Sequence, residues 1–203
     1  MPSPRVEPQS VFLNIPYDIR FGRIYLAFIA GLAHLDLTPK ATLGIPGGDT
    51  RLDRILTLIR SCRYSIHDLS RVQLDRSFPP TPRFNMPFEL GLSVAWATIH
   101  PDRHSWFVFE SMRRRAQKSV SDLSGTDVNI HNNSPQGVMR ELCNAFVRRR
   151  DKPTVPAMMN TYTALQRYVP RLKKETGANT IFESRMFAEL NATAIVLRDQ
   201  ARK

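Results

Sequence analysis

The segment Pro82–Leu92, PRFNMPFELGL, is the part of the chain from which the fold can be worked out. Pro87 suits the first turn of an α-helix, where its missing N–H needs no partner, and Asn85 or Met86 would then be the N-cap. The following residues, 88–99, are apolar on nearly every side. That pattern is typical of a helix packed against a β-sheet.

Glu89 is the only formally charged residue between Arg83 and Asp102, so this helix would carry a single acid at its entrance. Burial there would raise the pKa of the carboxyl group, whereas the helix N-terminus would lower it. Functional acids often occupy such positions. A glutamate in the first turn is equally typical of helix capping, so both interpretations stand at this point.

Short apolar segments with β-branched and aromatic residues alternate with helical patterns on both sides of this helix. Such alternation indicates βαβ units and a parallel sheet. We therefore predict a flavodoxin-like, three-layer α/β fold with a five-stranded parallel sheet. The predicted strands are Val11–Ile15, Thr38–Ile45, Tyr64–Asp68, Trp106–Glu110 and Thr126–Ile130. The predicted helices between them include Phe21–Leu35, a helix capped by Asp49 or Thr50, and a helix that starts at Ser134-Pro135 and runs to Arg150.

The chain divides into three parts by composition. Residues 1–10 are rich in proline and polar side chains and are predicted to be a loose leader. Residues 11–150 contain the alternating strands and helices. Residues 151–203 lack strand patterns and are predicted to form two helices, with a break near Gly177, as a C-terminal extension.

The net charge of +11 is the strongest anomaly of composition in this chain of 203 residues. Arginine triplets at Arg113–Arg115 and Arg148–Arg150 contribute to it. A basic surface favours nucleic acids, nucleotides or acidic partners. Aromatic residues are not interleaved with these triplets, and no helix-turn-helix or zinc-finger spacing occurs, so nucleic-acid binding is the less favoured alternative.

Other sequence features exclude several classes of protein. No apolar segment is long enough to span a bilayer, and the first ten residues lack the apolar core of a signal peptide, which predicts a cytoplasmic protein without membrane contact. The two cysteines, Cys62 and Cys143, show no metal-binding spacing and are interpreted as core thiols at the ends of helices. We predict no metal site and no cofactor. Pro46-Gly47-Gly48 is too short for a P-loop or a dinucleotide-binding turn.

The position of a binding site follows from the predicted sheet, because ligands of open parallel sheets bind beyond the carboxyl ends of the strands, where strand order reverses. Structural roles remain open for several residues there: a buried structural histidine at 67, a turn at Asp68, and a surface pair of Asp18 with Arg20. The candidates at this edge are Asn14, Tyr17, Asp18, Arg20, His67, Asp68, Ser70, Arg83, Asn85 and Glu89.

These motifs resemble a group of bacterial proteins related to TIR domains and nucleoside 2-deoxyribosyltransferases. The resemblance covers roughly residues 11–149, and FNMPFELG is its most specific part. The motifs, in order, are VFLNIPYD, CRYSIHDLSR, PRFNMPFELGL, and SDLSGTD with a following His131. The resemblance implies a flavodoxin-like fold and a glutamate that is essential for cleaving an N-glycosidic bond of NAD or a nucleoside.

By this resemblance Glu89 and Asp68 are assigned to catalysis, with Asp68 similar to a residue that holds the ribose or base. Deoxyribosyltransferases usually carry an aspartate shortly before the glutamate, where this chain has Arg83, Phe84 and Asn85, and Gly44–Asp49 differs from the expected acidic loop. A hydrolase of NAD or a related nucleotide is therefore favoured over a transferase. The resemblance also implies self-association and a role in anti-phage defence. A non-catalytic nucleotide sensor or scaffold is the main alternative.

Overall fold

The computed structural model describes residues 7–44, 50–71, 74–75, 78–147 and 153–202. A five-stranded sheet forms its centre, and every pair of neighbouring strands in it is parallel. A separate antiparallel ribbon joins two short strands, β4 (Leu74–Asp75) and β5 (Thr81–Pro82). The strands of the main sheet are β1 (Glu7–Asn14), β2 (Thr38–Lys40), β3 (Cys62–Asp68), β6 (Ser105–Glu110) and β7 (Val128–Ile130).

The strand order is β2-β1-β3-β6-β7, which is the flavodoxin-like order and confirms the predicted fold class. The chain turns outward to β2 after β1 and then crosses back to β3, so strand order reverses between β1 and β3. Asn14 and His67 are direct partners in this register. The carboxyl ends of β1 and β3 therefore flank the crevice in which a ligand of this fold is expected.

One face of the sheet carries the larger apolar core. Val11, Leu13 and Phe109 point to this face and pack against α1 (Gly22–His34) and α5 (Pro135–Ala145). Nearly every residue of α1 is buried, because further helices cover its outer side. At Gly31 a β-carbon would lie 2.5 Å from a methyl group of Leu142, so the two helices approach closely only because this residue is glycine.

The opposite face is covered by α2 (Arg51–Ser61) and α3 (Asn85–Ile99). Phe12 packs with Ile55 and Ile59, which are one helical turn apart on α2. As predicted, α3 packs against the sheet, and it is buried on that side only. Phe88 is 55% exposed, because no described element covers the outer side of this helix.

Two C-terminal helices form an additional layer outside α1. They are α6 (Val155–Thr176) and α7 (Ser184–Ala201), and Gly177, with φ of 70°, ends α6 as predicted. Arg198 and Arg202 donate hydrogen bonds to the carbonyl oxygens of Ala33 and His34, at 2.8 and 2.9 Å, and so satisfy acceptors at the C-terminus of α1. Apolar side chains of both helices belong to the same core as α1.

Several boundaries differ from the sequence-based prediction. Strand β1 begins at Glu7 rather than Val11, so residues 7–10 of the predicted leader belong to the sheet. Strand β2 ends at Lys40, and a 3-10 turn, Thr42–Gly44, follows it. Cys62 is the C-cap of α2, as predicted, and also begins β3. A short helix, α4 (Arg115–Ser119), lies between β6 and β7.

Some predictions fall outside the described residues. These are the Pro46-Gly47-Gly48 turn, Asp49 as a cap, and the second arginine triplet, Arg148–Arg150. The alternative cap, Thr50, is the N-cap of α2 and accepts a hydrogen bond from the Asp53 amide. Among the helices that the structure describes, none combines the length and apolar composition needed to cross a membrane.

Candidate functional site

Glu89 lies on the side of α3 that faces the sheet, with only 3% of its surface exposed. The helix starts at Asn85, with Phe84 as its N-cap, so Glu89 is in the second turn and does not cap the helix. Burial raises the pKa of its carboxyl group, and the charge and hydrogen bond of Arg51 oppose that effect. The capping interpretation of this glutamate is therefore wrong, and its carboxylate faces another helix.

Arg51 is the partner of Glu89 and was not among the predicted site residues. It is the first residue of α2, and its Nη2 lies 3.5 Å from Oε1 of Glu89. The Arg51 side chain is 55% exposed, so the pair lies at the boundary between the interior and solvent. Within the described ranges, most acceptor positions of the Glu89 carboxylate therefore have no hydrogen-bond donor.

Tyr17 follows β1 and lies in the electrostatic field of the same pair. Burial raises its pKa to about 12, the negative charge of Glu89 adds to that effect, and Thr42 and Arg51 oppose it. The phenol therefore keeps its hydrogen at neutral pH. The ring of Phe182, from the segment between α6 and α7, packs against the Tyr17 ring with 5.8 Å between ring centres. The C-terminal extension thus contacts a side chain of the crevice, which the sequence did not suggest.

Asn14 and His67 are side by side at the ends of β1 and β3, on the face covered by α2 and α3. Nδ2 of Asn14 lies 2.9 Å from Nδ1 of His67, and both residues are buried. Nε2 of His67 lies 2.9 Å from the Ser93 hydroxyl on α3. Ser93 and Glu89 are four residues apart, so Glu89 lies about 6 Å along the helix from the level of His67.

Asp68 takes part in a different cluster, because successive side chains of a strand point to opposite faces. Its Oδ1 accepts a hydrogen bond from the Ser70 amide at 2.9 Å. Its Oδ2 lies 3.0 Å from Nε2 of His131, off the direction of a hydrogen bond, and the Ser70 hydroxyl lies 3.1 Å from the same nitrogen. Asp68 and Ser70 are thus brought together with His131, and not with Glu89.

This cluster is not a nucleophilic triad. The amide N–H of Asn133 donates to Nδ1 of His131 at 3.1 Å, so the hydrogen of the ring is on Nε2. In a triad the acid orients Nδ1 and the hydroxyl faces Nε2. Here the acid and the hydroxyl of Ser70 share one ring nitrogen, which makes the arrangement a buried connection between β3 and the segment after β7.

Asp18 pairs with Arg71 rather than with Arg20. Two hydrogen bonds of 3.0 and 3.1 Å join the Arg71 guanidinium to both carboxylate oxygens. Asp18 also accepts from the Arg20 and Phe21 amides, so it caps the 3-10 turn after β1. Burial acts to raise the pKa of Asp18, but the bonds and charge of Arg71 outweigh it and lower the pKa. The Arg20 side chain is exposed.

Arg83 and Asn85 are exposed, and Asn85 is the first residue of α3. The prediction of Asn85 or Met86 as N-cap is wrong, since Phe84 occupies that position. Phe84 is 68% exposed, and Phe88 follows one turn later on the same side. This side of α3 is thus apolar and open, whereas Glu89 lies on the side that faces the sheet.

The structure adds a second buried glutamate at the carboxyl edge of the sheet. Glu110 is the last residue of β6 and is fully buried. Arg115 binds it through two nitrogens, Nε at 2.9 Å and Nη2, and the Met112 amide donates to it at 3.3 Å. One member of the first arginine triplet is therefore occupied by an internal ion pair. The strand-end acid in WFVFE was the signal that could have identified this residue.

The other two arginines of that triplet, Arg113 and Arg114, line an open cleft of about 710 Å³ beside β7, with Arg140 on its far side. Asp127 and Glu141 line the same cleft, so its charges are mixed. Within the described ranges, no group of three or more histidine, cysteine or acidic side chains could hold a metal ion. Burial raises the pKa of Cys62 to about 11 and also raises the pKa of Cys143, so neither thiol is an activated nucleophile.

Near the switch point the contacts thus form two groups, Asn14 with His67, and Glu89 with Arg51 and, electrostatically, Tyr17. Asp18, Asp68 and Ser70 are engaged in separate contacts, and Arg20, Arg83 and Asn85 are at the surface. Comparison with protein-family models and with curated proteins gave no match to this chain.

Proposed function

We propose that the protein is an N-glycosidase that cleaves the bond between ribose and base in NAD or in a related nucleotide or nucleoside. The observation that carries the proposal is the under-coordinated carboxylate of Glu89 beside the switch point of the sheet. Among the residues that the structure describes, its one hydrogen-bond partner is Arg51, an arginine half in solvent, at 3.5 Å. A buried acid with free acceptor positions is available for a developing positive charge.

The chemistry suits one acid and several hydrogen-bonding neighbours. When the bond from C1′ to the nicotinamide nitrogen of NAD breaks, its electron pair leaves with nicotinamide, and positive charge develops on the ribose. A carboxylate beside C1′ stabilises that charge or attacks the carbon. Water then supplies hydroxyl to C1′ and releases a proton, so the products are nicotinamide and ADP-ribose. Because nicotinamide leaves as a neutral molecule, no general acid is needed.

The other residues of the crevice fit binding roles. The neutral phenol of Tyr17 and the amide of Asn14 can bond sugar hydroxyl groups. Arg51, already at the rim, is a guanidinium suited to a phosphate of the ligand. Exposed Arg20 and Arg83 can add positive charge on the approach. Asp68 is on the other face with His131, so we no longer assign it a direct part in the reaction.

The decisive experiment compares wild type with Glu89→Gln in turnover of NAD and of nucleosides. We expect the amide to reduce turnover at least ~100-fold, because it removes the negative charge while keeping the side-chain shape. Glu175→Gln, on exposed α6, is the matched control and should leave turnover unchanged. Equal turnover by wild type and Glu89→Gln would remove this residue from the mechanism.

A specific observation favours the second candidate, a nucleotide-dependent scaffold. Phe84 and Phe88 expose a pair of aromatic side chains on the helix that carries Glu89, and such residues often mark association surfaces. Light scattering with and without NAD would test it. Self-association that depends on NAD, with no base released and with loss in Phe88→Ser, would favour the scaffold over the enzyme.

A further inference from the structure

A continuous chain of buried polar groups runs along β3, from Asn14 at the crevice to the carbonyl of Cys62 at the strand's beginning. Asn14 Nδ2 is 2.9 Å from His67 Nδ1, and His67 Nε2 is 3.0 Å from the Ser65 hydroxyl. The same hydroxyl is 3.0 Å from Nε2 of His104, whose Nδ1 is 2.9 Å from the Cys62 oxygen. The four side chains joined by these hydrogen bonds are all buried.

The direction of the hydrogen bonds can be worked out from the Cys62 end. A carbonyl oxygen only accepts, so Nδ1 of His104 carries a hydrogen. Burial lowers the pKa of His104, and its bond to Cys62 and the charge of Arg63 are smaller influences. The ring is therefore neutral, and its Nε2 has a lone pair. Ser65 must donate its single hydroxyl hydrogen to that nitrogen.

The same logic continues to the crevice. Since Ser65 has used its hydrogen, its oxygen can only accept, so Nε2 of His67 carries the hydrogen, which lies between the Ser65 and Ser93 hydroxyls at 3.0 and 2.9 Å. Burial, assisted by the nearby His104, lowers the pKa of His67 to about 3, so this ring is neutral too and its Nδ1 has no hydrogen. Asn14 must then be the donor in their contact. The NH₂ group of Asn14 faces His67, and the amide oxygen is turned the other way.

The orientation of Asn14 is thus fixed by a carbonyl at the opposite end of the strand. Asn14 is 4% exposed, and its amide oxygen has no hydrogen-bond partner among the residues that the structure describes. This oxygen is therefore available to a hydrogen-bond donor of a ligand. Ser93 also contacts His67, at 2.9 Å, from the helix that carries Glu89. The hydrogen bonds of His67 thus connect Asn14 to that helix.

We propose that Asn14 is the specificity-determining acceptor of the crevice and binds a ribose hydroxyl of the ligand, with His67, Ser65 and His104 as positioning residues. The inference rests on the proposed nucleotide site but not on its catalytic activity. Reversal of any bond in the chain would turn the amide and present NH₂ instead of oxygen. The amide would then donate to a lone pair of the ligand hydroxyl, and the hydroxyl hydrogen would lose Asn14 as its acceptor.

Nitrogen-15 NMR of the histidine rings tests the chain directly. We expect the Nε2–H tautomer at His67 and the opposite Nδ1–H tautomer at His104, both at neutral pH. This pair of opposite tautomers is not required by burial alone. An Nδ1–H form or an imidazolium ion at His67 would overturn the proposal, whatever the protein catalyses.

Equilibrium binding of adenosine, 2′-deoxyadenosine and 3′-deoxyadenosine tests the acceptor. Wild type should bind adenosine roughly tenfold more tightly than the analogue that lacks the contacted hydroxyl. Asn14→Ala should bind adenosine and that analogue equally. If wild type fails to bind adenosine or does not distinguish it from either analogue, the proposed acceptor role is wrong.

Substitution at the far end of the chain tests positioning. His104→Phe does not alter the crevice but frees the Ser65 hydrogen, so we expect the discrimination between adenosine and the deoxy analogue to fall several-fold. His34→Phe is the matched control, since His34 is a buried neutral histidine bonded to Thr161, away from this chain. Retained discrimination in His104→Phe would overturn the positioning role. Discrimination without any base release would leave the acceptor intact and refute only the glycosidase.

Discussion

Two buried glutamates at the same edge of the sheet, Glu89 and Glu110, differ in how their carboxylates are satisfied. Both have an arginine partner, and neither has appreciable exposure. Glu110 receives two nitrogens of Arg115 and backbone amides as well. In the part of the chain that the structure describes, Glu89 has one hydrogen-bond contact, of 3.5 Å, with Arg51. Burial alone therefore does not identify a functional acid, and the number of acceptor positions left unused is the more informative property.

The two glutamates differ in this way because their arginine partners lie at different distances along the sequence. Arg115 is five residues from Glu110, on a short helix that begins immediately after the strand, so the chain itself places the guanidinium against the acid. Arg51 reaches Glu89 from a different helix, across the space between α2 and α3. A ligand that enters this space can separate the second pair without unfolding any element, whereas the first pair is part of the local fold.

The largest effect on stability is expected from placing the same substitution at both glutamates. Glu110→Gln should lower the free energy of unfolding by about 3 kcal/mol, because it leaves the mostly covered Arg115, 19% exposed, without its counter-charge. Glu89→Gln should change it by less than about 1 kcal/mol or raise it, since burial already disfavours the charged form of this residue. Urea denaturation at neutral pH, followed by circular dichroism, measures both. Equal losses would mean that the two acids are structurally equivalent.

The second expected effect is a loss of stability at low pH, caused by the buried histidines on the Glu89 side of the sheet. The folded pKa of His67, about 3, lies below the ordinary value of 6.5. Below pH 6.5 the unfolded chain therefore binds protons that the folded chain does not, and stability falls as pH decreases from 6.5 toward 3. Each such histidine contributes a slope of about 1.4 kcal/mol per pH unit. His67→Gln should show a shallower loss of stability than wild type in urea titrations from pH 7 to pH 4. Parallel curves would contradict the neutral state of His67.

The sequence predicted the fold well because strand and helix patterns depend on neighbouring residues. VFLNI, YSIHD and WFVFE all lie in parallel strands, and Ser134 caps the helix that starts at Pro135. The apolar pattern of α3 correctly predicted packing against the sheet, but it did not show that the other side is exposed. Its composition is apolar on every side, so only the packing of the other elements reveals which side is covered.

The site was harder to predict because its contacts join distant segments. Asn14, His67 and Glu89 were found by the edge rule of parallel sheets. The same rule could not distinguish the two faces at that edge, so it grouped Asp68 with Glu89 although Asp68 contacts His131. Arg51 was missed because the pattern of α2 shows an ordinary first turn. Its pairing with Glu89 depends on the distance between two helices, which no local pattern encodes.

The smallest expected effect is a change in the pKa of Glu89 when Arg51 loses its positive charge but keeps a long side chain. The positive charge of Arg51 lowers the pKa of Glu89, whereas burial raises it. In Arg51→Met the pKa of Glu89 should therefore rise further, and the acidic limb of any pH–rate profile should move to higher pH. Carbon-13 NMR titration of the Glu89 carboxyl measures the pKa whether or not the protein turns over a substrate.

Arg60→Met is the matched control for this titration, since it removes the same charge from the same helix about 14 Å farther along it. It should leave the Glu89 titration nearly unchanged, because screening weakens interactions between solvated charges over such distances. Added salt should reduce the difference between Arg51→Met and wild type, because Arg51 is half in solvent. If both variants shift the titration equally, Glu89 responds to overall charge rather than to one partner. The contrast with Glu110, whose arginine is held in place by its own helix, would then lose its basis.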